Sequence, residues 1–377
     1  MIKSWDYLNE YKKKRKSFLT GLDKVFKSGK LFFGDELSKF ENSFIKKNGS
    51  KYGIGVGSGT DALLIALKAL NVGFGDEVIT VANTAIPTVS SIISSGASVK
   101  FVDIGEDYLI DPSKIEKSIS KKTKAIIVVH LYGQACSMDK ITKIVKKHNL
   151  KLIEDCAQAQ GATFNKKKVG NFGSFGCFSF YPTKILGAYG DAGFITTNDK
   201  KLFKKVRRIR FYGIEELNRK NKWNLKYFAN EHGINSRLNE VQASILNIKL
   251  KTVEQDIGKR RKIASIYNKA FKKLDIITPK ENTKCKHVYH LYVVAHKKRD
   301  QILKKLKKKN IYLNIHYPYP LHKMTAYKTN ISRKSDRLIL TEKFAKRVFS
   351  LPLYPSIEFA KIKKIINEIN KILDKYT

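Results

Sequence analysis

Apolar positions along this chain change spacing repeatedly, and each change marks the end of one element and the start of another. Residues 8–30 are polar with helical spacing, and 34–44 predicts a second amphipathic helix with Leu37, Phe40 and Phe44 on one side. Beyond them short apolar runs alternate with helical segments. Strands are predicted at 52–56, 77–81, 99–102, 125–130 and 150–154, separated by helices at 61–70, 85–95, 112–119 and 139–148. Runs this apolar, spaced by helices, predict an α/β fold whose parallel sheet is covered on both faces and binds ligand at the carboxyl ends of its strands. A helix over 238–253 reads as a connector. A new pattern begins near 254, with a strand at 290–295, a helix at 299–308 and a terminal helix from about 357.

At 377 residues the chain is too long for one small core. The expected division is a large domain over 1–245, carrying an N-terminal helical arm, and a smaller C-terminal domain over 246–377. The net charge of +41 raises nucleic acid or an anionic membrane as partners. The basic residues, however, run along the whole chain. Runs such as Lys12 to Lys14, Lys166 to Lys168 and Lys307 to Lys309 have the look of solvated loops or helix faces, without interleaved aromatic residues. Neither partner is expected, and the positive field would at most gather an anionic substrate. Cys136, Cys156, Cys177 and Cys285 show no CxxC or Cys/His ligand spacing, so neither a metal nor a disulfide framework is expected. With no signal-peptide core and no uncharged run of membrane-spanning length, a cytoplasmic protein is expected.

Three short stretches carry candidate chemistry. Lys184 lies in a Pro- and Gly-broken turn that follows an apolar strand, with Ser179 just before it. Asp155 closes the strand at 150–154, where a carboxylate faces the ligand crevice of a parallel sheet. A lysine able to form an imine, a serine able to hold phosphate and an aspartate able to hold a protonated ring nitrogen are what pyridoxal phosphate asks of a protein. Gly53 to Thr60 follows a strand and opens a helix, which makes an anion site of its free N–H groups. Each has a plainer reading: Lys184 a solvated lysine, Asp155 a helix N-cap, Ser179 a local backbone bond, the glycines an empty turn. Gly57 to Ala62 also satisfies a loose dinucleotide fingerprint, with Asp76 and Glu77 downstream. That fingerprint belongs to the first strand-helix turn of its fold, and here some fifty residues of helical preamble come before it.

Taken together, Ser58-Gly-Thr-Asp-Ala-Leu63, Glu154-Asp-Cys-Ala-Gln158, Phe178-Ser-Phe-Tyr-Pro-Thr-Lys184, Gly190-Asp-Ala-Gly193 and Gly233-Ile-Asn-Ser-Arg-Leu-Asn-Glu-Val-Gln-Ala243 resemble, in order, the motifs of the DegT/StrS sugar aminotransferases. The resemblance covers nearly the whole chain. It implies a fold-type I pyridoxal phosphate enzyme with a mostly parallel seven-stranded sheet and a smaller C-terminal α/β domain. It also implies that Lys184 binds the cofactor covalently and shuttles a proton, that Asp155 holds the pyridinium nitrogen and that Gln158 lies near the ring hydroxyl. Gly59, Thr60 and Ser179 would bind the phosphate, and Asn235 would reach it from the neighbouring subunit of a homodimer. A free lysine titrates near 10.4, so only about one in a thousand is neutral at pH 7.4, and imine formation beside a cationic ring removes that obstacle.

His130-Leu-Tyr-Gly-Gln134 and Ile315-His-Tyr-Pro-Tyr-Pro-Leu-His322 look like members that aminate nucleotide-linked ketohexoses, often at C3 of a dTDP-linked 6-deoxy sugar. Tyr181, Arg237, His316 and Tyr317 are the candidate substrate residues. For Arg237 an interface ion pair, and for His316 and Tyr317 an aromatic packing turn, stand beside that reading. Three positions depart from the family pattern: Ala85 where an aromatic often covers the ring, Gln160 where histidine is frequent, and Ile234 in place of a common tyrosine. Pro87 or Ile86 would have to cover the ring instead. The expected reaction moves an amino group from L-glutamate to a keto carbon of a dTDP-3-keto-6-deoxyhexose, with a UDP- or dTDP-4-keto sugar as the alternative. A dinucleotide-dependent oxidoreductase and a basic nucleic-acid-binding regulator are the more distant alternatives.

Overall fold

The computed structural model describes residues 1–214, 228–332 and 337–374. Helices α1 (Leu8–Lys27) and α2 (Asp35–Asn48) open the chain. α2 stops at Gly49, whose left-handed backbone at φ 73° turns its N–H back onto the Ile45 carbonyl. The predicted alternation then follows: β1 (Tyr52–Val56), α3 (Gly59–Ala69), β2 (Glu77–Val81), α4 (Ile86–Ser94), β3 (Ser98–Val102), α5 (Pro112–Ser118), β4 (Thr123–Val129), α6 (Met138–Lys147) and β5 (Lys151–Asp155). A short hairpin, β6 (Thr163–Phe164) and β7 (Lys167–Lys168), leads to β8 (Phe175–Ser179), β9 (Gly193–Thr197) and α7 (Lys200–Ile209). The hairpin was not anticipated. Its turn residues Asn165 and Lys166 both have positive φ, so the lysine run 166–168 forms a tight turn and a strand rather than a loose loop.

Seven strands make one sheet in the order β1-β9-β8-β5-β4-β2-β3. β2, β3, β4, β5 and β8 pair in parallel, while β9 runs antiparallel to both β8 and β1. Side chains alternate between two cores as the pleat requires. Ile126, Val128 and Leu152 face a core with α2, α5 and α6, whereas Ala125, Ile127 and Ile153 face the core of α3, α4 and α7. Both faces are therefore covered, and the carboxyl ends of β2, β4, β5 and β8 are left as the place where polar side chains can gather.

α8 (Glu240–Leu250) and α9 (Val253–Phe271) lead into the second part of the chain. There β10 (Cys285–Lys286) pairs with β6, and β11 (Tyr292–Ala295) pairs antiparallel with β12 (Val348–Leu351). α10 (Arg299–Lys308), α11 (Ile339–Ala345) and α12 (Phe359–Leu373) complete it, and a third core of Tyr267, Phe271, Ile302, Leu306, Phe349 and Ile365 lies among α9, α10, α12 and the two strands. The expected junction near residue 246 falls inside α8, whose Leu246 is buried in the large-sheet core. We propose the break at Lys251 and Thr252, between α8 and α9, as the point of division. Among the described residues no helix is long and apolar enough to cross a membrane.

Candidate active site

Asp155 ends β5 with its carboxyl buried. Thr88, in the first turn of α4, donates its hydroxyl to Oδ2 at 2.8 Å, and the Ala157 N–H donates to Oδ1 at 3.1 Å. Burial pushes this carboxyl above its usual range, while those two donors and the positive charge of Lys184 pull the other way. Lys184 sits in the loop between β8 and β9, whose base is closed by Phe180 N–H to Ala192 O at 2.8 Å and Ala188 N–H to Phe180 O at 2.7 Å. Gly187 is required there, since a Cβ would stand 2.4 Å from the Pro182 carbonyl. Lys184 keeps partial solvent access, yet the burial of its surroundings lowers its pKa, with the Asp155 carboxylate opposing. A partly exposed lysine and a buried carboxylate thus act on each other's charge.

The second group of residues lies at the start of α3. Ser58 caps the helix by accepting the Asp61 N–H at 3.0 Å, and Ser236 accepts the Gly57 N–H at 2.8 Å while donating to Asp61 at 2.7 Å. The N–H groups of Gly59 and Thr60 carry no bond to the described residues. They are free to receive an anion at the positive end of the helix. Gly59 lies against the end of β8, where a Cβ would stand 2.7 Å from Ser179 Cβ. Ser179 itself accepts the Tyr181 N–H at 3.3 Å, the local bond weighed from the sequence, and is still placed beside the helix N-terminus. Asn235 is exposed. Ile86, one of the two residues that could cover the ring beside Ala85, is half exposed at 50%.

Gln158 has its amide committed on both sides. Its Oε1 accepts the Tyr132 N–H at 2.8 Å and its Nε2 donates to the Tyr317 hydroxyl at 3.0 Å, leaving one N–H to spare. Tyr132 in turn donates its hydroxyl to the His316 carbonyl, and the His316 ring bonds Ser350 at 2.8 Å. His316 and Tyr317 are thereby tied to the large-sheet side of the site. Burial, then the Lys184 charge, pushes His316 down to about 4, and burial pushes the Tyr317 phenol up to about 12. Tyr181 is exposed, and Arg237 lies among aromatic rings. The guanidinium lies 4.2 Å from the ring centre of Phe32 and 5.5 Å from that of Phe211, a cation–π stack.

Two residues were not singled out as chemistry by the sequence, and both matter here. Glu154 is fully buried and accepts N–H groups from Gly170, Phe172 and Gly173 at 2.7 to 2.8 Å, with His130 at 3.1 Å. Because the Cys136 N–H donates to His130 Nδ1, the other ring nitrogen carries the proton and gives it to Glu154. The carboxylate's neighbours account for the His130, Glu154 and Cys156 grouping as a hydrogen-bonded joint below the site. Thr88 is the other; a threonine three residues past a helix start gives no hint that it meets a carboxylate 67 residues on. The acids needed by a dinucleotide are spoken for. Asp76 accepts the Gly73 N–H, and Glu77 is buried against Lys100, Ser120 and Thr123.

A buried carboxylate, a lysine facing it and an open N–H cradle fit pyridoxal phosphate at its ring nitrogen, its aldehyde carbon and its phosphate. Residues 12–370 match the model of the DegT/DnrJ/EryC1/StrS aminotransferase family. The chain belongs to that family. As a DegT/DnrJ/EryC1/StrS member it is a pyridoxal-phosphate-dependent transaminase of fold-type I. It is 40% identical over 98% of both chains to the dTDP-3-amino-3,4,6-trideoxy-alpha-D-glucose transaminase of Micromonospora megalomicea. It is 36% identical over 97% of its length, and 98% of the relative's, to the UDP-2-acetamido-2-deoxy-3-oxo-D-glucuronate aminotransferase of Pseudomonas aeruginosa. Among solved structures, DesV of Streptomyces venezuelae in complex with a ketimine intermediate superposes with a TM-score of 0.93 at 33% identity, covering 99% of this chain and 98% of DesV. These relatives are nucleotide-sugar aminotransferases by name.

Proposed function

We propose that this transaminase moves an amino group from L-glutamate to the keto carbon of a dTDP-3-keto-6-deoxyhexose. The observations that support the site assignment are the mutual charge effect of Lys184 and the buried Asp155, and the open Gly59 and Thr60 N–H groups beside Ser179 at the end of β8. Bound pyridoxal phosphate supplies a ring that takes up negative charge from a carbon losing its proton. Asp155 keeps the ring nitrogen protonated by remaining ionised. Lys184 Nζ would hold the cofactor and, as a free amine, would be the base that takes and returns the substrate's proton. Gly59, Thr60 and Ser179 fix the phosphate, and the spare N–H of Gln158 turns toward the ring hydroxyl. Exposed Asn235 reaches the phosphate of a second subunit, so a homodimer completes two sites. Tyr181, His316 and Tyr317 line the approach of the sugar, and the neutral His316 suits an uncharged hydroxyl.

The dTDP-linked acceptor is favoured by the 40% identity to a dTDP-sugar transaminase, and a UDP-linked sugar is the second reading, supported by the 36% identity to an enzyme named for one. A panel of 3-keto and 4-keto dTDP and UDP sugars with glutamate, read by mass spectrometry and NMR of the product, tests the choice. Amination of a dTDP-3-keto sugar at the highest kcat/KM is expected. Preference for a 4-keto sugar or a UDP sugar would overturn the acceptor assignment and leave the transaminase chemistry standing.

A further inference from the structure

The hydrogen bonds around Asp155 have a direction that a single proton count settles. Thr88 has one hydroxyl proton, and a carboxylate can only accept, so that proton lies toward Asp155 Oδ2 at 2.8 Å. Thr84 and Thr88 are also bonded to each other, at 3.0 Å, and either oxygen could be the donor on geometry alone. With the Thr88 proton already committed, Thr84 must be the donor. The chain runs Thr84 to Thr88 to Asp155, and each hydroxyl polarises the next. Both threonines are buried, at 2% and 1% exposure, so water does not take either place. The placement is built by the backbone: Ala85 enters α4 in extended conformation, Pro87 sets its first turn, and Thr88 is left pointing at the end of β5. Asp155 is otherwise served on its other oxygen by the Ala157 N–H.

We infer that Thr88, supported by Thr84, is the positioning residue that keeps Asp155 ionised and aimed at the cofactor's ring nitrogen. In a dry site an aspartate without such donors would take a proton itself, and a neutral acid no longer holds a pyridinium. The Thr88 hydroxyl gives Oδ2 a donor that does not compete for the cation. Because Ala85 caps the same helix, this relay would hold the ring's nitrogen edge in a chain that lacks an aromatic in the Ala85 position. The role is one of hold and orientation, and no proton need pass along the two hydroxyls.

The test uses the reconstituted enzyme with cofactor labelled with nitrogen-15 at the ring, together with cofactor affinity measured by equilibrium dialysis. Asp155→Asn supplies the reference shift of an unprotonated ring. In Thr88→Val, which keeps the side-chain shape, the ring-nitrogen signal is expected to move toward that reference and affinity to fall on the order of tenfold, as loss of a hydrogen bond to a charged group implies. Thr88→Ser is expected to restore both. Thr84→Val is expected to move the signal the same way by less, and it carries the test if Thr88→Val does not fold. A wild-type ring-nitrogen signal in both valine variants that fold would overturn the inference. So would a failure of serine to rescue, which would mark the methyl group's packing as what counts.

Discussion

The residues proposed for the cofactor's ring nitrogen and those proposed for its phosphate are built on opposite plans. In the first group Asp155, Thr88 and Thr84 are buried, and each side-chain oxygen has a hydrogen-bond partner within this chain. Among the residues proposed for the phosphate, the Gly59 and Thr60 N–H groups carry no bond to the described residues, Asn235 is exposed, and Arg237 is stacked on Phe32. The difference separates two tasks. Holding a ring nitrogen protonated needs a fixed charge in a low-dielectric place, which one chain can prepare in advance. Holding a phosphate needs several weak donors converging from different elements, and those can come from a helix terminus and from a second subunit. The Lys184 pKa is lowered by burial and raised by the Asp155 charge.

That contrast sets the order of expected effects. Lys184→Ala should be the most damaging, with turnover down by about 10²- to 10⁴-fold or more, since it removes the proton carrier outright; steady-state transamination assays check it. Asp155→Asn should come next, costing about 3–5 kcal/mol of interaction because it leaves a cation without its partner in a dry site; kcat/KM and cofactor affinity should both fall. On the open side Gly59→Ala should be milder. Its Cβ would press on Ser179 Cβ at 2.7 Å and on Ser179 Cα at 3.2 Å, costing about 1–3 kcal/mol and appearing mainly as weaker cofactor retention in dialysis.

Smaller effects separate the halves further. His316 is held neutral well below its ordinary value, at about 4, so an unfolded chain takes up a proton that the folded one refuses. Stability is therefore expected to fall as pH drops from about 6.5 to 4, and denaturant midpoints should fall less over that window in His316→Gln. Arg237→Ala should cost least, about 0.5–1 kcal/mol for the lost stack on Phe32, with KM for the nucleotide sugar nearly unchanged. A large rise in KM instead would give Arg237 to the substrate diphosphate and make the phosphate end a charged one.

Much of this was legible in the order of residues. The alternating pattern predicted β1 to β5 to within a residue or two at most ends because buried parallel strands must be apolar throughout. Lys184 and Asp155 were visible because each ends or follows such a strand. What stayed hidden were pairings across long stretches of chain. Nothing near Thr88 marks it as a partner of Asp155, and Glu154 reads as one more strand residue until Gly170, Phe172 and Gly173 are folded over it. The β6–β7 hairpin was missed for another reason: its lysines look solvated, and the turn depends on two left-handed residues that are not glycine. Arg237 shows the same limit, since a stack on Phe32 requires the α1–α2 connection to come alongside.

The most direct measurement is reduction of the cofactor-loaded enzyme with borohydride, followed by peptide mapping. The account predicts a yellow protein whose absorbance band shifts with glutamate, is lost on reduction, and leaves the cofactor's mass on the peptide containing Lys184. A label on any other lysine, or full transaminase turnover in Lys184→Ala, would contradict it.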